Sequence, residues 1–168
     1  MNQKEERFAE IVRQQHDKIL RICQYYAPSQ EDRKDIYQEI LVNVWKSLDT
    51  FRGEASLATW IYRIAINTSL NFAGKEYRRL NLNVTNDMHN LHLLTDDEEM
   101  AEQLNKEQQY EALQVHLNQL SVIDKAIMSL VLEGLSTKEI AEIIGITEPN
   151  VRVKIHRIKG LLRDQLNK

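Results

Sequence analysis

Apolar residues recur in steps of three and four along most of the chain, with polar residues between them. That spacing puts the apolar side chains on one face of a helix; a strand would need strict alternation. From about Gln3 to Tyr26, the residues Phe8, Ile11, Val12, Ile19, Ile22, Cys23 and Tyr26 trace one such face. Pro28 breaks the pattern, because proline lacks the amide proton a helix interior needs. Ser29 then fits an N-cap, with Asp32 three residues on as a weaker form of capping box. The second helix runs to about Ser47 and points Ile36, Ile40, Leu41, Val44 and Leu48 inward. A loop at Asp49–Ala55 follows. The third apolar pattern begins after Ser56 and runs to about Tyr77 through Leu57, Ile61, Ile64, Ala65 and Phe72. Three helices with short connections predict a compact bundle over residues 1–80.

Periodicity fades from Asn81 to Thr95, and a linker fits residues 81–109. Acidic residues at Asp96–Glu99 open a further helix to about Gln119. In the last third, Ser121 begins a helix through Ile123, Ile127, Leu130 and Val131, which ends near Glu133-Gly134. Ser136 and Glu139 form a capping box for a short helix with Ile140, Ala141 and Ile144 inside. Gly145-Ile146 makes a tight turn, Thr147 caps the next helix, and Pro149 falls within its first turn, where it is tolerated. That helix buries Val151, Ile155, Ile158 and Leu162. The prediction is an all-α chain of two small helical domains, the second over residues 110–168, joined by a flexible linker.

Composition supports this and narrows the function. A length of 168 residues suits one domain or two small ones, and 5 Gly with 2 Pro suits helices. The glycines form no G-x-G-x-x-G or Walker-type loop, which argues against a nucleotide site. The net charge of -3 hides an uneven distribution. Thr147–Lys168 carries six basic residues against two acidic, whereas Thr95–Glu111 carries seven acidic against one basic. The lone Cys23 excludes an internal disulfide and suits a small core residue. No signal peptide or membrane span is evident, so a cytoplasmic protein without membrane insertion is expected.

Three polar patterns carry candidate chemistry. A stripe climbs the third helix in steps of three and four: Trp60, Arg63, Asn67, Asn71, Gly74 and Arg78, with Lys75 and Arg79 beside its basic exit. Rings stack on bases, amides read base edges and guanidinium groups meet phosphate, so the stripe suits single-stranded nucleic acid. Its plainer reading is an amphipathic helix with a partly exposed tryptophan. On the second helix Asp32, Asp35 and Glu39 form an acidic stripe with Gln38 beside it. The helix macrodipole explains Asp32 without any partner but explains Glu39 poorly. In the tail, two helices joined by a Gly turn, the second basic, describe a helix-turn-helix. Glu148, Asn150, Arg152, Val153 and Lys154 would then lie near bases, with Arg157 and Lys159 nearer phosphate. The plainer reading there is a structural hairpin with a basic tail. His89 and His92 could bind a metal, but no Cys or carboxylate pair completes a zinc set, so neither metal nor cofactor is expected.

Together these pieces resemble the extracytoplasmic-function (ECF) sigma factors of bacterial RNA polymerase. Asp35-Ile36-Tyr37-Gln38-Glu39 is similar to the D-x-x-Q-E core of that family's polymerase-binding helix. Phe51–Ser56 with Thr59–Asn67 is similar to its FRGxS…TWLYRIAxN signature, and Gly134–Glu142 with Val151–Arg157 to its C-terminal helix-turn-helix. The resemblance covers roughly residues 8–166. Residues 1–80 would correspond to sigma region 2 and 110–168 to region 4, and the chain would have no catalysis of its own. Asp32, Asp35, Gln38 and Glu39 would dock on the clamp of core RNA polymerase. Phe51, Arg52, Ser56, Trp60, Arg63, Asn67, Asn71, Lys75, Arg78 and Arg79 would bind the melted minus-ten element of promoter DNA, with one base flipped into the loop at Leu48–Ser56. Glu148, Asn150, Arg152, Val153, Lys154, Arg157 and Lys159 would read the minus-thirty-five element as duplex. An anti-sigma factor would be a further partner, and the acidic linker would pass through polymerase near its active centre.

Pro149-Asn150 and Val153 depart from common family residues, so the upstream sequence cannot be copied from a relative; Leu57-Ala58 departs from the frequent Phe-Arg or Phe-Lys pair, which would weaken one phosphate contact. A compact chain of this length has a radius of gyration of roughly 15 Å. Two promoter elements about two DNA turns apart lie roughly 70 Å from each other. Two separable domains can span that distance; one globule cannot. The competing reading is a stand-alone helix-turn-helix repressor, which needs neither the acidic stripe nor the FRGEAS…TW segment. A hydrolase is a third, but no nucleophile–base set assembles from the five His, one Cys and scattered Ser.

Overall fold

The computed structural model describes residues 2–27, 29–82, 108 and 112–166, with side chains omitted at 75–82 and 166. Every element among the described residues is helical. Helix α1 spans Gln3–Tyr26, α2 spans Gln30–Ser47, a short 3-10 turn covers Leu48–Thr50, and α3 spans Leu57–Leu82. After the linker come α4 at residues 112–118, α5 at Val122–Leu132, α6 at Thr137–Ile144 and α7 at Glu148–Leu166. His89, His92 and the acidic run at 95–107 lie outside the described residues.

The helix boundaries have local causes. Ser29 Oγ accepts from the amide of Asp32, and Ser136 with Glu139 forms a reciprocal capping box. Gly145 ends α6 in the left-handed region at φ 81, where a side chain would be strained. Helices α1, α2 and α3 pack mutually around Ile19, Ile22, Ile36, Ile40, Ile61 and Ile66, and α5, α6 and α7 pack around Ile127, Leu130, Ile140, Val151 and Ile158. Cys23 is buried, which raises its thiol to about 12 and makes it unreactive at neutral pH. Ile123, expected inside, is instead 42% exposed, while its neighbour Asp124 is buried. Helix α3 continues five residues beyond the expected end at Tyr77, because nothing in Lys75–Leu80 breaks a helix.

The two helical groups also pack on each other, through α3 against α6. Glu133, at the C-cap of α5, has a side chain only 1% exposed. Arg21 Nε of α1 donates to both its oxygens at 3.0 Å, the Tyr25 hydroxyl donates to Oε1 at 3.1 Å, and the Tyr62 hydroxyl of α3 donates to Oε2 at 2.9 Å. Gln114 of α4 donates to the carbonyls of Gln24 and Ala27 at the end of α1. Glu133→Ala removes the acceptor that three donors share. A loss of about 2 kcal/mol from this packing is expected, discounted because Arg21 is partly solvated. X-ray scattering should show an expanded chain while circular dichroism keeps its helix content. An unchanged radius would show that this cluster does not hold the halves together.

Lys125 of α5 lies at the same junction. Its ammonium donates to Asn118 Oδ1 at 2.7 Å and sits 4.6 Å from the Tyr26 ring centroid. Burial lowers it from 10.5 to about 8. Between pH 8 and 10 the unfolded chain therefore holds a proton that the folded chain has released, so stability rises with pH. Burial raises the Tyr26 and Tyr62 phenols, so above pH 10 the unfolded chain ionises first and stability falls. Thermal unfolding from pH 7.5 to 9.5 should show the rise, at less than about 1.4 kcal/mol per pH unit. Lys125→Met should flatten it; an equally steep rise in that variant would locate the proton elsewhere.

Candidate nucleic-acid interface

The loop between α2 and α3 is built by short-range contacts. Leu48 is buried and anchors the 3-10 turn, and Thr50 Oγ1 donates to the Ser47 carbonyl at 2.7 Å. Gly53 takes φ 73, which lets the chain reverse. Ser56 Oγ accepts from the Thr59 amide at 3.1 Å and donates to Thr59 Oγ1 at 2.9 Å, so Ser56 serves as the helix cap in this state. The loop and the first turns of α3 enclose an open cleft of about 410 Å³ lined by Thr50, Phe51, Arg52, Glu54, Ala55, Trp60 and Arg63. Phe51 and Trp60 face each other with centroids 4.7 Å apart at 33°, and the Arg7 guanidinium lies 5.8 Å from the Phe51 ring. Phe51 and Trp60 pack on each other too closely to admit a base between them, so one outer aromatic surface, with two arginines and a carboxylate, suits a flat, polar-edged ring from a charged strand.

Along α3, Arg63, Asn67 and Asn71 are exposed as the stripe predicts, and Gly74 is half-buried. Trp60 is half-buried and packs partly on the core, while it also lines the cleft. Arg63 Nη2 donates to the Glu142 carbonyl of α6 at 2.8 Å, so the second helical group occupies one cation of the cleft. Lys75, Arg78 and Arg79 belong to α3, but their side chains lie outside the described set. On α2, Asp35 and Gln38 are exposed, Glu39 is half-buried, and Asp32 is held by Ser29 Oγ at 2.6 Å. Val42, 48% exposed, continues this face seven residues from Asp35 and four from Gln38. An apolar residue off the core stripe was the available signal for it.

On α7, Asn150, Val153 and Lys159 are exposed, and Val153 reaches 68%. Exposed His156 lies between Val153 and Lys159 around the helix and was not foreseen. Glu148 accepts from Thr137 Oγ1 at 2.7 Å and from Arg152 at 2.6 Å, which ties α6 to α7 and holds its carboxyl below the usual range. Lys154 and Arg157 reach back to Asp124 of α5. Among the described residues no group of three or more His, Cys, Asp or Glu could hold a metal, and no helix is long and apolar enough to cross a membrane.

Residues 11–79 match the family model of sigma-70 region 2, and residues 110–162 match that of sigma-70 region 4. The chain is 30% identical over 162 residues to the ECF RNA polymerase sigma-E factor of Haemophilus influenzae, covering 93% of this chain and 85% of that one. It is 41% identical over 69 residues to the protein of the same name from Escherichia coli K12, covering 41% of this chain and 35% of that one. Among solved structures, CnrH in complex with the cytosolic domain of CnrY superposes with TM-score 0.72 at 19% identity, covering 97% of this chain and 89% of that one. The sigma factor RpoE bound to the anti-sigma factor NepR from Bartonella quintana gives 0.70 at 17% identity, covering 96% and 98%.

Proposed function

Because the chain belongs to the ECF sigma factors of the sigma-70 family, we propose that its two helical groups divide promoter recognition between them. The chain binds core RNA polymerase, directs it to specific promoters and helps melt the minus-ten element; it performs no catalysis of its own. The outer face of α2, with Asp35, Gln38, Glu39 and Val42, is the polymerase-facing surface. The cleft between Phe51 and Arg63 receives one flipped base, and the strand continues along Asn67 and Asn71 towards Lys75, Arg78 and Arg79. The outer face of α7 reads the upstream duplex, with Asn150, Arg152 and Val153 near base edges.

The aromatic, arginine-lined cleft at the start of α3 carries this reading, since a repressor that binds only duplex DNA has no use for it. Flipping a base costs a few kcal/mol, and a stack on one aromatic face returns about 1–3 kcal/mol, with the cleft's arginines and polar groups adding to it. The packed halves cannot reach elements roughly 70 Å apart, so polymerase must part α6 from α3 and thereby free Arg63. The resemblance to the sigma factor RpoE solved with the anti-sigma factor NepR supports an anti-sigma protein as a further partner. Run-off transcription with purified core polymerase tests the proposal. Added chain should produce transcripts with defined starts, and mapping those starts gives both promoter elements together. If core polymerase gained no promoter preference from the chain, the proposal would fail.

A further inference from the structure

Asp124 stands three residues after the Ser121 cap of α5, yet its side chain is only 7% exposed. Its oxygens face two cations from α7. Lys154 Nζ lies 3.3 Å from Oδ1, and Arg157 Nη2 lies 3.0 Å from Oδ2. Burial alone would raise this carboxyl, but Ser121, Lys154 and Arg157 together hold it below the usual range, so it is ionised at neutral pH.

The plainer account is a salt bridge that fastens α5 to α7. Those helices are already fastened by Ala126, Ile127 and Leu130 against Val151 and Ile158, all fully buried. An ion pair with an arginine 59% exposed adds little to that. Lys154 and Arg157 sit three apart on the flank of α7 beside exposed Asn150 and Val153. Long flexible cations give up rotamer freedom when they bind phosphate, and a fixed anion behind them removes that freedom beforehand.

We propose that Asp124 is a positioning residue for duplex recognition, holding Lys154 and Arg157 extended on one flank of α7 so that both meet the DNA backbone already ordered. This rests on the reading of α6 and α7 as the duplex-reading unit. The sign of its effect separates it from simple electrostatics. A carboxylate near DNA repels phosphate, so by charge alone Asp124→Asn should tighten binding and steepen its salt dependence. Positioning predicts about fivefold weaker binding, with a salt slope shallower by about one.

The test uses core polymerase loaded with the full chain and a duplex that the wild-type complex enriches from a random pool. Dissociation constants are measured across salt for wild type, Asp124→Asn, the pair Lys154→Ala with Arg157→Ala, and all three together. Support requires that Asp124→Asn weakens binding in the wild-type background and has no effect once both cations are gone. Tighter or unchanged binding overturns the proposal, as does equal weakening in both backgrounds, which marks a purely structural carboxylate. Asp124→Ser gives the same comparison if the asparagine variant unfolds. If the wild-type complex enriches no duplex, or the alanine pair costs nothing where about tenfold is expected, the duplex-reading assignment itself is wrong and the proposal falls with it.

Discussion

Core polymerase carrying the chain with Phe51→Ala and Trp60→Ala is expected to bind promoter fragments yet leave the downstream element closed. These rings pack on each other, 4.7 Å apart, and together form the aromatic wall of the cleft where the loop meets α3. Each base–aromatic stack is worth about 1–3 kcal/mol. Losing both should lower the permanganate reactivity of downstream thymines by about tenfold or more at equal occupancy. Trp60 also packs on the core, so the variant must first be shown to retain its helices. Trp60→Phe separates the two roles, because it keeps a ring at the cleft with a smaller face. Normal opening by the double-alanine chain would show that these rings only fill space.

The second large effect is expected on α2. Asp35→Lys with Glu39→Lys reverses two charges on the face that also presents Gln38 and Val42. Placing like charges across an interface costs several kcal/mol, so affinity for core polymerase should fall by about a hundredfold. Asp32 is left intact because its carboxylate belongs to the cap of α2, and reversing it would confuse docking with folding. Helix content should be unchanged, and transcription should return when core polymerase is raised in proportion. A variant that still binds core polymerase normally would move the docking surface away from α2.

Much of this was legible in the sequence wherever the cause was local. Ser29 and the Ser136–Glu139 box marked helix starts because their partners lie three residues away. Gly145 marked a helix end because its backbone geometry is its own requirement. The stripe of Arg63, Asn67 and Asn71 was legible because helical spacing alone puts those residues on one side. Glu133 and Asp124 were not legible. A buried carboxylate is acceptable only if distant residues supply donors, and Arg21 and Tyr62 stand 112 and 71 positions from Glu133. Spacing likewise placed Lys154 and Arg157 on outer faces, without the anion that holds them. Buried Tyr62 also fell outside the expected core face of α3, because the Glu133 carboxylate that accepts from its hydroxyl lies far along the chain.

The central claim is that this chain opens DNA as part of polymerase and does not act as a duplex-binding repressor. A promoter fragment with one 2-aminopurine in the downstream element tests it most directly, its fluorescence read with the chain alone, core polymerase alone, and both together. The account predicts unstacking of that base only when both are present, and its loss with Phe51→Ala and Trp60→Ala. Tight, sequence-specific binding of the closed fragment by the chain alone, with no change in fluorescence when core polymerase is added, would contradict it.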